Sequence, residues 1–129
     1  MVRSLHPTTI EITTEEHLTE KGDCIVGVGA TKGCGQLSET LKTALRSERA
    51  RVTIRILVGE ECFELSAEGD KGLELSHPRD IVIRKSRFVS GRTLAVSASA
   101  TARDIPRSII SKLKNPETVG VLEIEVHGA

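Results

Sequence analysis

Two stretches of this chain, 71 residues apart, carry the same pattern: His6-Pro7-Thr8-Thr9-Ile10-Glu11-Ile12 matches His77-Pro78-Arg79-Asp80-Ile81-Val82-Ile83. Three further blocks follow in the same order. Gly27-Val28-Gly29-Ala30-Thr31 matches Ser97-Ala98-Ser99-Ala100-Thr101 at an offset of 70, and Leu37-Ser38-Glu39-Thr40-Leu41-Lys42 matches Ile109-Ile110-Ser111-Lys112-Leu113-Lys114 at 72. Val52-Thr53-Ile54-Arg55-Ile56 matches Leu122-Glu123-Ile124-Glu125-Val126 at 70. Four collinear blocks at nearly constant spacing read as an internal duplication. Units of roughly 50 residues are too small to bury a core alone, so two of them must share one.

Each half reads as ββαβ. The first strand puts Ile10 and Ile12, or Ile81 and Ile83, on one face. A second strand is expected over 24–30 and again over 93–100, where Leu94, Val96, Ala98 and Ala100 alternate with Ala95, Ser97 and Ser99. A helix follows in each half. Leu37, Leu41, Ala44 and Leu45 share one helical face, as do Ile105, Ile109 and Leu113. Asp104 is the expected N-cap of the second helix, Pro106 fits its first turn, and Asn115-Pro116 stops it. In the last strand Val52, Ile54, Ile56 and Val58 alternate with Thr53, Arg55 and Leu57. Between the halves an inserted hairpin is expected. Phe63 and Leu65 lie on one strand, Leu73 and Leu75 on the other, and Glu68-Gly69-Asp70-Lys71-Gly72 forms the turn.

Composition narrows the function classes. Among 129 residues there is no Trp, no Tyr and only Phe63 and Phe88. A stacking platform for single-stranded nucleic acid needs rings that this chain lacks, and so does an aromatic cage. No apolar run is long enough to span a membrane, and the first residues lack the apolar core of a signal peptide. Three cysteines without a CxxC pair read as reduced thiols, so the expected location is the cytoplasm.

Thr9-Ile10-Glu11-Ile12, then Leu18, then Gly22-Asp23-Cys24-Ile25-Val26 resembles the Gly-Asp box of double-psi barrels and their cradle-loop relatives. The resemblance implies a left-handed turn at the Gly and an Asp side chain that ties down its own loop. The second half reads Gly91-Arg92-Thr93 there and lacks the Asp. Nearly end to end, the chain also resembles an uncharacterised archaeal family, domain of unknown function 371. The residues that carry this are His6-Pro7, Leu18-Thr19, Gly22-Asp23-Cys24-Ile25, His77-Pro78, Ile83-Arg84-Lys85-Ser86 and Arg92-Thr93-Leu94. This resemblance implies an archaeal, cytoplasmic protein, and it brings no catalytic residues with it.

The formal net charge is zero, yet equivalent segments differ in sign. Residues 6–23 hold Glu11, Glu15, Glu16, Glu20 and Asp23 against Lys21. Residues 77–92 hold Arg79, Arg84, Lys85, Arg87 and Arg92 against Asp80. Arg84, Lys85, Arg87 and Arg92 are the candidate contacts for an anionic ligand, a nucleic-acid backbone or a partner protein, a second copy of this chain included. The bland alternative is a solvated face with scattered ion pairs. Strand alternation would point Arg84 and Lys85 opposite ways. Lys32 joins the candidates because Gly27 to Gly35 is a Gly-rich loop before a helix, which can hold an anion. No Gly-Lys-Ser/Thr follows, so the loop is not a P-loop, and a purely structural role is the default.

His6 and His77 are kept by both halves. They read first as strand-entry turns and second, with Asp80 and Asp23, as an acid–base site in the cradle between the halves. His17, His127 and the cysteines add metal-type donors at no short ligand spacing, so no metal and no cofactor is assigned. Cys24 and Cys62 read as buried and apolar. Cys34, near a helix start, is where thiolate character could rise.

The expected fold is α+β in a single domain over 1–129: a mainly antiparallel β-barrel from two ββαβ repeats, 6–58 and 77–128, with a hairpin inserted over 60–76 and two outer helices. The expected function is a non-enzymatic binding module that uses the basic segment 79–92. The alternative is a small enzyme built on His6, His77, Asp80 and Asp23.

Overall fold

A computed structural model describes residues 9–13, 25–27 (as backbone), 33–115 and 117–127. Among them the elements run β1 (Thr9–Thr13), β2 (Ile25–Gly27), α1 (Glu39–Leu45), β3 (Arg51–Val58), β4 (Glu61–Glu68), β5 (Asp80–Arg84), β6 (Thr93–Ala95), α2 (Arg107–Leu113) and β7 (Gly120–His127). The class is α+β.

The strands form two sheets, of order β2-β1-β5-β6 and β4-β3-β7. In the first, β1 and β5 are antiparallel, with Ile10 opposite Ile83 and Ile12 opposite Ile81. The outer strands β2 and β6 run parallel to their neighbours. In the second, β3 is central, and antiparallel pairs put Ile54 beside Leu65 and Ile124. Its Val52, Ile54, Ile56 and Val58 are all buried. Each contributes about 1.5–3 kcal/mol by leaving water. They join Ile10, Ile81, Ile83, Leu94 and the helix residues Leu45, Ile109 and Ile110 in one apolar cluster.

The expected barrel does not close among the described residues. Between the sheets lies a single isolated antiparallel bridge, in which Glu68 and Val96 exchange backbone hydrogen bonds of 2.8 and 2.9 Å. The second strand of the second half ends early for the same reason. β6 stops at Ala95, and Ser97 takes a positive φ of 51°. That bend sends the chain to the other sheet, where Ser99 donates to the Ser66 carbonyl. Of the first-half expectation over 24–30, only 25–27 lies within the described residues.

The inserted hairpin is also different. β4 pairs with β3 along its whole length, through a tight turn at Gly59, whose φ of +59° is the Gly-first pattern of a type II′ turn. Residues 73–77 form no strand. Leu73 and Leu75 are buried as their spacing implied, but Leu75 reaches the core from a left-handed backbone, which breaks an extended run.

Ser38 caps α1 by accepting the Leu41 N–H. Asp104 does not cap α2. It closes the 3-10 turn before it, accepting from the Thr101 N–H at 2.8 Å, and Pro106 takes the N-cap position. Glu39 and Arg107, the first residues of the two helices, stand 68 positions apart rather than the 72 of the matched blocks. A shift of four keeps the same helical face inward, so the apolar pattern alone could not separate the two registers.

Candidate functional site

The four candidate cations do not converge on one ligand. Arg92 donates to Asp80 at 3.1 Å and to Glu11 at 3.4 Å. Arg87 holds Glu68 at 2.7 Å and Asp70 at 2.9 Å, and donates also to the Ser97 hydroxyl at 2.9 Å. Arg84 donates to the Thr93 hydroxyl at 2.8 Å, and its guanidinium lies 4.8 Å from the centre of the Phe88 ring. Lys85 is exposed and meets no carboxylate among the described residues. The basic segment thus answers four carboxylates of its own chain, one of them, Glu11, from the acidic segment.

What remains outward is a tip. Phe88 is 60% exposed, whereas Phe63 packs against the core. Ser86 fixes the tip on both sides, because its hydroxyl accepts the Phe88 N–H and its carbonyl accepts the Ser97 N–H. Phe88 was visible in the sequence only as an aromatic inside the basic loop. The signal for a role was its scarcity: a chain with two rings places one of them in solvent.

A second cluster forms where β1 meets β5. Glu11 and Asp80 lie on the sheet face opposite Ile10, Ile12, Ile81 and Ile83. Both carboxylates are largely sheltered, their side chains 11% and 15% exposed. The Thr13 hydroxyl donates to Asp80 at 2.8 Å. His77 borders the cluster, with Nε2 3.9 Å from Asp80. Its Nδ1 accepts the N–H groups of Arg79 and Asp80 at 3.1 and 2.9 Å, so the ring is a cap for the turn into β5. Glu11 and Thr13 were missed as site residues. Alternation gave the signal, since both point away from the face of Ile10 and Ile12. Of the acid–base set, His77 and Asp80 come together, while His6 and Asp23 lie outside the described residues, as does Lys32.

The end of the Gly-rich loop is pressed against the turn that leads to this cluster. A Cβ on Gly33 would stand 2.6 Å from the Arg79 nitrogen, and one on Gly35 2.7 Å from the Ser76 oxygen. Gly35 also donates to the His77 carbonyl at 2.8 Å. These two glycines therefore allow backbone to approach backbone. Cys34 between them is fully buried, and burial pushes its thiol up to about 12. The thiolate character that a place near a helix start could bring is opposed here, because burial disfavours the charged form. Cys62 is corrected too: it is exposed, on the outer face of β4.

Comparison with known proteins gives two findings. The model of a family described as a domain of unknown function (DUF371) matches residues 1–127. An uncharacterised protein of the archaeon Methanocaldococcus jannaschii is 42% identical over 113 residues, covering 88% of this chain and 83% of the relative.

Proposed function

This chain belongs to the family of the domain of unknown function DUF371, and on that footing we propose that it is a non-enzymatic binding module that meets an anionic macromolecule with the tip formed by Arg84, Lys85 and Phe88. One observation carries this reading: the ring of Phe88 stands in solvent, backed by a guanidinium and flanked by a lysine without a carboxylate partner among the described residues. Aromatic residues and arginine are enriched at interfaces, and a guanidinium over a ring is itself attractive. Arg87 and Arg92 serve the fold in this reading, since each is held by two carboxylates.

The test is a salt-titrated binding assay on duplex DNA, single-stranded RNA and polyglutamate, with Phe88→Ala and Lys85→Ala beside the parent chain. The expected result is binding to at least one polymer with a shallow salt slope, about −1 for a single phosphate contact by Lys85, and loss of that binding in Phe88→Ala. No binding to any of the three at low salt overturns the reading.

The enzyme reading keeps the approach of His77 to Asp80. The binding reading is preferred because His77 Nδ1 is already engaged by two backbone N–H groups and Nε2 is beyond hydrogen-bond distance of Asp80.

The same proposal treats the chain as a duplicated unit working in the cytoplasm. Two pairings support the duplication. Glu11 faces Val82 in one sheet and Ile54 faces Ile124 in the other, 71 and 70 residues apart, at the offsets of the matched blocks. The cytoplasmic location is supported by the free thiols of Cys34 and Cys62. No helix among the described residues is long and apolar enough to cross a membrane.

A further inference from the structure

The outward face of the three-stranded sheet treats its two central arginines differently. Arg55 is enclosed by carboxylates: Glu64 at 2.8 Å, Glu123 at 2.7 Å and Glu125 at 3.3 Å. Arg51, two rows away on the same strand, stands opposite Glu68 on β4 and His127 on β7. Glu68 turns its carboxylate to Arg87 instead. Arg51 is exposed and meets no carboxylate among the described residues.

Arg51 also lines a groove of about 410 Å³, together with Thr53, Ser66, Glu68, Ser97 and His127. Arg87 donates from one nitrogen to both Glu68 and Ser97, two residues of the groove wall, and so neutralises the carboxylate there. The groove therefore gathers one guanidinium, one carboxylate already bound by Arg87, three hydroxyls and an imidazole. Thr53 and His127 are joined at 2.7 Å, while the Ser66 hydroxyl has no partner among the described residues.

We propose that this groove binds a small oxyanion-bearing metabolite, a phosphate ester or a polycarboxylate, with Arg51 as its principal charge contact and Ser66 and His127 as further polar contacts. The planar fork of arginine suits both kinds of oxyanion. The volume lies in the range of small-molecule sites, about 300–1,000 Å³, larger than a bare ion needs. No Phe, Tyr or Trp lines the groove, and its one imidazole is tied to the Thr53 hydroxyl. The ligand class is thus non-aromatic. This site is separate from the tip at Phe88 and does not rest on it.

The test is an amide NMR titration of the whole chain with glycerol 3-phosphate, citrate, inorganic phosphate and adenosine monophosphate. The expected result is saturable shifts at residues 51–53, 66–68, 97 and 127 for glycerol 3-phosphate or citrate. Arg51→Met should weaken that binding about tenfold or more, as loss of a charged hydrogen bond does. Ser66→Val, which fills the groove without changing its charge, should weaken it as well, and Lys85→Ala should leave it unchanged. Shifts that never saturate, equal affinity in Arg51→Met, or tightest binding of adenosine monophosphate would each overturn the proposal. Arg51 and Ser66 are exposed on strands and Lys85 is exposed just beyond one, and the spectrum itself reports whether each variant is folded.

Discussion

Arg55 Nη1 lies 2.7 Å from Glu123 Oε1, across the central strand pair of the three-stranded sheet. The same guanidinium reaches Glu64 on the opposite flank, so one residue of β3 ties together both of its neighbours. Without it, Glu123 and Glu125 would stand as like charges on one strand face with Glu64 close by. Arg55→Met should lower the melting temperature at neutral pH. The difference from the parent chain should shrink as salt is raised to about 1 M, where the Debye length is about 3 Å. A difference that does not change with salt would mean that the arginine acts through packing.

The acid limb of stability should pass through Asp70. The Gly72 N–H, and after it the Arg87 guanidinium, hold its carboxyl below the usual range. The folded chain thus prefers the ionised form. The resulting stability is present above the unfolded value and is lost as pH falls through the folded one. Asp70→Asn should therefore be less stable than the parent chain at pH 6. The gap should narrow progressively below about pH 4. Urea midpoints across that range check it, and a constant gap would sink the assignment.

The two described thiols should react in a fixed order. Cys62 is exposed, whereas Cys34 is buried with its thiol raised to about 12 and donating to the Arg92 carbonyl at 3.2 Å. Brief iodoacetamide treatment at pH 8, followed by peptide mapping, should find Cys62 modified and Cys34 intact. Cys34 should become modified only in denaturant. Early labelling of Cys34 in the native chain would contradict its placement.

Gly33 should not tolerate a methyl group, although its φ of −94° is open to any residue. The obstacle is the backbone of Pro78 and Arg79, 2.6 Å from where the Cβ would sit. Gly33→Ala should cost about 1–3 kcal/mol, the range of an overpacked site. Gly72→Ala should cost much less, because its nearest neighbour is the Asp70 carboxylate at 3.2 Å. Urea denaturation of the two variants gives the comparison.

Much of the fold was written in apolar alternation. Val52, Ile54, Ile56 and Val58 announced β3, and Ile81 with Ile83 announced β5, because period two fixes which side chains leave water. Leu73 and Leu75 show where that reading stops. Both are buried as expected, but alternation marks burial and not strand pairing, and Leu75 arrives by a left-handed backbone. Asp104 shows the same limit at a helix start: the right residue type caps the turn before the helix. The site was less legible. Four cations could be counted along 84–92, but their carboxylates come from β1, β4, β5 and the loop after β4, and only the folded chain brings these together. The groove around Arg51 had no local signature at all, since its walls come from three strands and the bend at Ser97.

Glu68 has three attachments of different kinds. Its backbone clasps Val96 across the gap between the sheets, its side chain grips Arg87, and its flank borders the groove. A mechanical load that separates the sheets bears on this seam, together with the Ser99–Ser66 contact and the apolar cluster that both sheets share. Whatever settles in the groove rests on the clasp itself, so its occupant would be felt as tension or slack between the two halves of the molecule.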